Sequence, residues 1–351
     1  MTANATFDFD LLARLTDAPG PVGHEDRVRE VVRDELPDVD RVRTDAMGNV
    51  VATVEGTANP DYEVLVAAHM DEIGLIVTDV DDDGFLSVES LGGWNPDALR
   101  GHPVTVHTAD GDYEAVVGIN AAHTAADEAP EEWTLDDAHV FTGLEPEEAN
   151  ETFAVGDVVT YDSDLRELGE CVSGSALDDR AGVYVLLEAA RLADPDVTVH
   201  YAATVQEEVG LRGATALGVD VDPDLAIALD GTLEQSHPGI APSNAISKLG
   251  DGVGVKRKDA TVIPTPGVVE RFESVAEARD IDFQREVSWN IGTDTGGLQT
   301  TGGARPVGAL SIPVRYHHSA VETANARDVE AAVDLLTAFL DTEDGADYSP
   351  N

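Results

Sequence analysis

Apolar residues follow two different periods along this chain, and each period predicts a different kind of element. A spacing of three and four residues predicts helices at residues 8–18, 25–36, 181–193, 211–217, 266–280 and 326–340. Continuous apolar, β-branched runs predict buried strands at residues 49–55, 63–68, 197–205, 224–230, 283–288 and 307–312. Helices that alternate with such strands are typical of a mostly parallel sheet covered by helices on both faces. The sequence therefore predicts an α/β fold.

Residues 73–163 have a different pattern, with short β-branched segments separated by Gly and Pro. This pattern predicts a small β-barrel or sandwich, with a short helix at residues 145–150 and an exposed acidic loop at 124–137. The chain has 351 residues, more than one core typically holds. We therefore expect an α/β domain built from residues 1–72 and 164–351, interrupted by an inserted β-barrel domain.

The charge balance restricts the partners of this protein. With 69 acidic and 21 basic residues, the net charge is -48. Such a surface repels phosphates and anionic lipids, so neither nucleic acid nor membrane is expected as a partner. Molar salt shortens the Debye length to roughly 3 Å and screens the self-repulsion. An acidic excess with only three lysines is thus typical of a cytosolic protein from a halophile.

Cysteine usage and the apolar runs indicate the compartment. Cys171 is the only cysteine, which excludes an intrachain disulfide and fits a reducing environment. No signal-peptide pattern and no apolar run of membrane-spanning length are visible. We expect a cytoplasmic location.

Two adjacent carboxylates, Glu207 and Glu208, follow the predicted strand at residues 197–205. Neighbouring side chains on an extended chain point to opposite faces, so one carboxylate can bind a metal while the other takes a proton from water. The carboxyl end of a strand is also where α/β sheets place their ligands. A solvated acidic turn is the alternative interpretation in a chain this acidic.

Other potential metal ligands lie near strand ends or just before a helix. With Glu208, the set comprises His69, Asp178, Asp230 and His318. Imidazoles and carboxylates are ligands for zinc, cobalt or manganese. The three carboxylates carry three negative charges, which two divalent cations would balance with one positive charge left for a hydroxide. A single cation would leave them crowded as like charges beside Glu207. The sequence therefore predicts two metal ions.

Seven short motifs are distributed over nearly the whole chain. They are Gly23-His24-Glu25, Ala68-His69-Met70-Asp71-Glu72-Ile73-Gly74, Gly92-Gly93-Trp94, Ala176-Leu177-Asp178-Asp179-Arg180-Ala181-Gly182, Gln206-Glu207-Glu208-Val209-Gly210, Gly292-Thr293-Asp294 and Pro313-Val314-Arg315-Tyr316-His317-His318-Ser319. With these motifs the chain resembles the TET-type (tetrahedral) aminopeptidases, a family of cytosolic dinuclear metallopeptidases. Members of that family are described as glutamyl or deblocking aminopeptidases, and some as endoglucanases.

The resemblance implies a role for each candidate ligand. His69 and Asp230 would bind one metal, Glu208 and His318 would bind the other, and Asp178 would bridge the two. Zinc is the metal most expected, with cobalt or manganese as alternatives. An adjacent histidine, His317, is the alternative to His318 as ligand.

The resemblance also implies the chemistry and the assembly. Glu207 would be the general base that takes a proton from the attacking water and passes it to the leaving amine. Asp71 would orient His69, as carboxylates behind metal-bound imidazoles do. The peptide after Asp178 would be cis. The β module would be a dimerisation domain, and twelve subunits would form a hollow tetrahedron that trims short peptides from their N-termini.

Three alternatives to an aminopeptidase are compatible with the sequence. A deacylase or a carboxypeptidase can use the same metal scaffold, and a glucanase is a further possibility, although the cluster differs from a glycosidase's acid pair. A non-catalytic peptide-binding assembly protein is the third, but Glu207 argues against it because binding alone needs no general base.

Three charged motifs have simpler interpretations. Lys256-Arg257-Lys258 is expected to be an exposed turn, with a substrate-guiding patch as the alternative. Asp179 and Arg180 fit an ion pair at the start of a helix. Asp294 fits a helix cap or a group behind the metal ligands.

Overall fold

The computed structural model of the protein describes residues 6–119, 133–241 and 245–349. Its helices are α1 (Phe9–Thr16), α2 (Asp26–Glu35), α3 (Pro96–Leu99), α4 (Pro146–Thr152), α5 (Leu177–Leu192), α6 (Arg212–Val221), α7 (Pro266–Arg279), α8 (Asp294–Thr300) and α9 (Ala326–Leu340). The first nine strands are β1 (Arg41–Thr44), β2 (Val50–Val54), β3 (Asn59–His69), β4 (Gly74–Val80), β5 (Leu86–Leu91), β6 (Pro103–Thr108), β7 (Gly111–Val117), β8 (His139–Phe141) and β9 (Val158–Tyr161). The others are β10 (Arg166–Leu168), β11 (Cys171–Gly174), β12 (Val197–Thr204), β13 (Leu225–Leu233), β14 (Val253–Lys258), β15 (Phe283–Val287), β16 (Val307–Arg315) and β17 (Glu322–Asn325).

The helices and strands predicted outside the β module are all present, with ends that differ by at most four residues. Several elements were not predicted, among them β1, β10, β11 and β17. These strands have only three or four residues, too few for a period of two to be recognised.

Among the described residues, eleven strands form one mixed sheet in which β1-β2-β12-β3-β13-β16-β17-β11-β10 lie side by side, while β14 pairs with β15 and β16. The central strands β12, β3, β13 and β16 are parallel, as expected for an α/β fold. The flanking strands are antiparallel. Thr204 lies opposite His69 in the register of β12 and β3, so these strands end together at one edge of the sheet.

Helices cover both faces of this sheet, and each face has its own apolar core. Helices α1, α5, α7 and α9 pack on one face over a large core that contains Leu12, Val66 and Leu336. Helices α6 and α8 pack on the other face over a smaller core with Leu65 and Leu298. The doubly covered α/β fold is therefore confirmed, and burial on both faces explains the continuous apolar runs of the central strands.

Strands β4-β5-β8-β7-β6-β9 close into an antiparallel barrel around a separate core that includes Leu75, Val106 and Val159. A barrel is thus confirmed over an open sandwich. The short helix predicted at residues 145–150 is α4. Most of the loop predicted at residues 124–137 lies outside the described residues, and its last part forms a 3₁₀ turn at Leu135–Asp137. In the part of the chain that the structure describes, no helix is long and apolar enough to cross a membrane.

The expectation of an exposed turn at residues 256–258 is wrong. Lys256 lies on β14 and is fully buried, with its Nζ 2.8 Å from Glu286 Oε1 and 3.6 Å from Asp259 Oδ2. Arg257 and Lys258 are exposed. A strand turns successive side chains to opposite faces, and two buried carboxylates compensate the charge that points inward.

The predicted ion pair between Asp179 and Arg180 is not formed. Arg180 is fully buried and pairs with Glu72 at 3.3 Å. Its guanidinium also donates to the backbone carbonyls of Leu15, Ala18 and Met70. Asp179 instead accepts a hydrogen bond from the backbone N–H of Gly182 at 3.0 Å. Arg180 thereby joins the end of α1, the end of β3 and the start of α5.

We expect Arg180→Met to lower the free energy of unfolding by about 3–5 kcal/mol, because it leaves the buried Glu72 carboxylate without its counter-charge. Urea unfolding in molar potassium chloride measures this. Arg43→Met is the matched control, since Arg43 pairs with Asp220 at the surface and should cost no more than about 1 kcal/mol. Equal losses in the two variants would contradict the role assigned to Arg180.

Candidate metal centre

The residues predicted as metal ligands come from separate segments that meet at one edge of the sheet. His69 is the last residue of β3, Asp230 lies in β13, Asp178 lies at the start of α5, Glu208 follows β12, and His318 follows β16. Because the four central strands are parallel, their carboxyl ends lie together, which is where α/β sheets bind ligands. The peptide between Asp178 and Asp179 is cis, as the family resemblance implied.

A first group of possible ligand atoms surrounds the imidazole of His69. Its Nε2 lies 3.5 Å from Asp178 Oδ1 and 3.9 Å from Asp230 Oδ1. All three side chains are buried, and their ligand atoms lie within 4.8 Å of one another. This group can hold one cation.

A second group surrounds the imidazole of His318. Its Nε2 lies 3.3 Å from Asp178 Oδ2 and 3.4 Å from Glu208 Oε1. The two oxygens of Asp178 therefore face different groups, Oδ1 toward His69 and Oδ2 toward His318. Asp178 lies between two positions that each offer imidazole and carboxylate.

The spacing and the hydrogen-bonding state of these atoms fit divalent cations. A tetrahedral ion with bonds of about 2.0–2.1 Å places its ligand atoms about 3.4 Å apart. The distances are 3.5 Å for His69–Asp178, 3.3 Å for His318–Asp178 and 3.4 Å for His318–Glu208, and 3.9 Å for His69–Asp230. Asp178 Oδ1, Glu208 Oε1 and Asp230 Oδ2 are buried and have no hydrogen-bond partner among the described residues. Buried carboxylate oxygens without a partner are costly, and a cation would compensate them.

Both neighbouring histidines reach the site. His317 Nε2 lies 2.8 Å from Asp178 Oδ2, and the ring of His317 stacks on that of His318 at 4.4 Å. His318 also reaches Glu208, whereas His317 makes no such contact in the described part of the chain. His318 thus contacts two candidate carboxylates and His317 one, and Asp178, His317 and His318 offer ligand atoms within 4.8 Å of one another.

The pKa shifts of the cluster reflect strong interactions between its charges. Burial would raise the pKa of Asp178, but the neighbouring imidazoles, His317 foremost, hold that pKa well below its usual range. Burial and the negative charge of Asp178 raise the pKa of Asp230 well above its usual range. Burial would lower the pKa of His318, but Glu208 and Asp178 raise it to about 11. Acids and imidazoles here share protons that a bound cation would displace.

Glu207 and Asp71 lie beside the first group. A carboxylate oxygen of Glu207 lies within 4.8 Å of ligand atoms of His69 and Glu208. Exclusion of water raises the pKa of Glu207 well above its usual range. Asp71 Oδ1 accepts from the backbone N–H of Glu207 at 3.1 Å, and Oδ2 accepts from that of Glu208 at 3.2 Å. Asp71 therefore fixes the turn that carries both glutamates.

The contact between Asp71 and His69 differs in detail from the expectation. His69 Nδ1 lies 3.1 Å from the backbone carbonyl of Asp71 and 3.6 Å from its Oδ1. The nearer partner of the imidazole is thus a carbonyl. The backbone N–H groups of the 207–208 turn engage the carboxylate.

One residue at the site, Glu322, was missed by the sequence analysis. It is buried, and its carboxylate accepts from the backbone N–H of Asp178 at 3.0 Å and of His318 at 2.6 Å. Burial raises its pKa to about 7. An acidic residue four positions after His318, next to a short apolar segment, was the available signal.

Asp294 lies behind the ligands, and it is not a helix cap. It follows the N-cap residue Thr293, and its Oδ2 accepts a hydrogen bond from Thr204 Oγ1 at 2.6 Å. Burial raises the pKa of Asp294 to about 6. Thr204 ends β12, so this bond supports the strand that leads to Glu207.

The barrel also reaches the site. Gly92 and Gly93 follow β5, and a Cβ atom would lie 3.2 Å from Glu208 Cβ at Gly92 and 3.4 Å from His318 Nδ1 at Gly93. The next residue, Trp94, donates from its indole nitrogen to the first carbonyl of β4 at 2.8 Å, which fixes the segment on the barrel. These glycines let the barrel backbone lie directly against two candidate ligands.

Comparisons with known proteins agree with this geometry. A family model described as M42 glutamyl aminopeptidase matches residues 48–335. Lysyl aminopeptidase from Pyrococcus furiosus is 33% identical, with 98% of this chain and 99% of that protein covered. Aminopeptidase APDkam598 from Desulfurococcus kamchatkensis has a similar structure, with a TM-score of 0.91, 36% identity and coverage of 95% of this chain and 94% of that one.

A further solved structure is the TET1 peptidase of Pyrococcus horikoshii, which can assemble into a tetrahedron or a large octahedral shell. It is similar with a TM-score of 0.85 and 32% identity, over 95% of this chain and 99% of that one. The resemblance drawn from the seven motifs is therefore confirmed. The family model matches most of the chain, the relatives align over nearly its full length, and the cluster of acids and imidazoles is suited to cations. The chain therefore belongs to the M42 glutamyl aminopeptidase family and is a metal-dependent aminopeptidase.

Proposed function

We propose that the enzyme removes N-terminal residues from short peptides with two divalent cations per subunit. His69 and Asp230 would hold one, Glu208 and His318 the other, and Asp178 would bridge them. The observation that carries this proposal is that the two oxygens of Asp178 face two separate imidazole–carboxylate groups. Zinc fits the ligands best, and cobalt or manganese would be accepted.

The bound cations would polarise the scissile carbonyl and lower the pKa of the attacking water. Glu207 acts as the general base in this proposal, because its carboxylate lies beside His69 and Glu208 and belongs to neither half of the proposed ligand set. It takes the proton from the water and returns it to the leaving amine. Asp71 keeps that carboxylate in place through the backbone of the 207–208 turn.

Charge favours a substrate with a free amino group over one with a free carboxylate. Besides the three proposed carboxylate ligands, the carboxylates of Asp71 and Glu207 lie beside the site and make its surroundings more negative. This negative charge attracts the ammonium group of a peptide N-terminus and repels a C-terminal carboxylate. This supports aminopeptidase over carboxypeptidase activity on the same scaffold.

We expect Glu207→Gln to lower kcat by about 10²–10⁴-fold while both metals stay bound, because the change removes a base and no ligand. Turnover of aminoacyl-p-nitroanilides and metal analysis of the same sample measure the two effects. N-acetylated aminoacyl-p-nitroanilides serve as the control and should not be hydrolysed by the wild-type enzyme. Loss of a metal in Glu207→Gln would mean that the base and ligand roles are misassigned, and hydrolysis of the acetylated substrates would indicate a different peptide-bond specificity.

The roles of the two neighbouring histidines can be separated by a matched pair of variants. We expect His318→Ala to retain one metal, since the second group loses its imidazole. His317→Ala should retain both, with metal affinity lowered by at most about 10–100-fold, as for groups that contact a ligand without binding the ion. Metal content after dialysis measures this. The reverse result would make His317 the ligand.

The assembly and location of the enzyme are also part of the proposal. We assign residues 73–163 to a dimerisation domain inserted between two parts of a catalytic domain, residues 1–72 and 164–351, and we expect twelve copies built from dimers. The separate barrel core and the TET1 peptidase, which can form a tetrahedron, support this. The single cysteine and the acidic composition support a reducing, salt-rich cytoplasm.

Salt should control this assembly. Each subunit carries a net charge of -48, and the screening length falls from about 10 Å at 0.1 M salt to about 3 Å at 1 M. We therefore expect a dodecamer in molar potassium chloride that dissociates and loses activity as the salt is diluted, before the subunits unfold. Sedimentation and circular dichroism on the same samples test this order. A dodecamer that persists in low salt would refute the halophile argument, and a monomer at every salt would refute the assembly.

A further inference from the structure

Glu322 lies where two segments leave the sheet for the metal centre. It is the first residue of β17, which pairs with β11 on one side and with β16 on the other. β11 leads into Asp178 and β16 leads into His318. The two segments that carry these candidate ligands thus depart from either side of a single residue.

The carboxylate of Glu322 binds the backbone of both segments. Oε2 accepts from the N–H of Asp178 at 3.0 Å, and Oε1 accepts from the N–H of His318 at 2.6 Å. Hydrogen bonds from backbone N–H groups to a buried carboxylate are short and strong. Since Glu322 is only 2% exposed, water does not compete for these donors.

The backbone at His318 needs such a constraint. Tyr316 and His318 both have a left-handed conformation, with φ of 59°. This conformation is unfavourable for residues other than glycine, so the turn after β16 has little intrinsic preference for its shape. The hydrogen bond from His318 N–H to Glu322 therefore selects the backbone conformation that turns the imidazole toward Asp178 and Glu208.

The opposite flank of the centre is held in the same manner. Asp71 accepts from the backbone N–H groups of Glu207 and Glu208, just as Glu322 does from those of Asp178 and His318. His69 and Asp230 need no such constraint, because they lie on strands of the parallel sheet whose register with β12 and β16 fixes them.

We propose that Glu322 is a positioning residue that sets the distance between Asp178 and His318 and thereby the affinity of the second cation position. The inference rests on the ligand assignment proposed above. In this structure Asp178 Oδ2 and His318 Nε2 lie 3.3 Å apart, as two ligands of one ion do. Without Glu322, the segments at Asp178 and His318 lose their shared acceptor. The second position, which depends on both segments, then weakens more than the position at His69 and Asp230, which shares only Asp178 with it.

A cobalt titration tests this inference. Cobalt chloride is added to the metal-free, full-length protein in molar salt, and binding is measured by calorimetry and by the visible spectrum of bound Co²⁺. The glutamine side chain in Glu322→Gln has the same shape as glutamate but only one acceptor oxygen. Its amide N–H₂ group would face one of the two backbone N–H donors, which then has no acceptor. We expect two sites in the wild type. In Glu322→Gln we expect one site weakened by about 10–100-fold and the other changed much less. Excess cobalt should then restore kcat with KM unchanged.

Asp328→Asn is the matched control. Asp328 is also buried and also accepts from two backbone N–H groups, those of Gly250 and Gly252, each at 2.8 Å, but it lies away from the candidate ligands. We expect this variant to lose stability and to keep both cobalt sites. Should Glu322→Gln fold poorly, Glu322→Asp withdraws the carboxylate by one methylene group and should weaken the same site.

Three results would overturn the inference. The first is wild-type cobalt affinity at both sites in the Glu322 variants. The second is an equal loss of cobalt affinity at both sites in these variants. The third is a selective loss of affinity at one site in Asp328→Asn. Failure of the proposed function gives a different result, because the wild-type protein itself would then not bind two cobalt ions.

Discussion

The parallel alignment of β3, β12, β13 and β16 concentrates negative charge at one edge of the sheet. Asp178, Glu208 and Asp230 meet there with little water around them. Buried carboxylates are stable only when donors or cations compensate them. Much of the surrounding structure supplies that compensation, but oxygens of Asp178, Glu208 and Asp230 are among the buried oxygens that have no hydrogen-bond partner in the described part of the chain. A bound cation would supply the compensation that these three carboxylates lack.

Compensation takes two forms in this molecule. Close to the centre, the backbone provides it, since Asp71 and Glu322 accept pairs of N–H groups from the segments that carry the ligands. Farther away, buried cations provide it, as Arg180 does for Glu72 and Lys256 does for Glu286. A backbone N–H group stabilises a carboxylate without adding a full positive charge. It therefore repels a metal ion in the centre far less than a lysine or arginine would.

The barrel reaches the candidate metal centre as well as forming the proposed assembly domain. Its segment at Gly92 and Gly93 lies against Glu208 and His318, the two residues proposed to hold the second cation. A shift of the barrel relative to the sheet would therefore press on that position first.

The sequence by itself determined the α/β alternation, the inserted β module and the strand-end positions of the candidate ligands, since these features follow from local periodicity and from residues adjacent in the chain. It did not reveal the antiparallel flanks, whose strands are too short to show a period. It also misplaced Lys256, because burial of a charge depends on partners such as Glu286 that lie far along the chain. Glu322 meets Asp178 across 144 residues. Only the tertiary structure decides such contacts, because hydrogen bonds between distant segments depend on where the sheet brings their backbones, and no local pattern records that position.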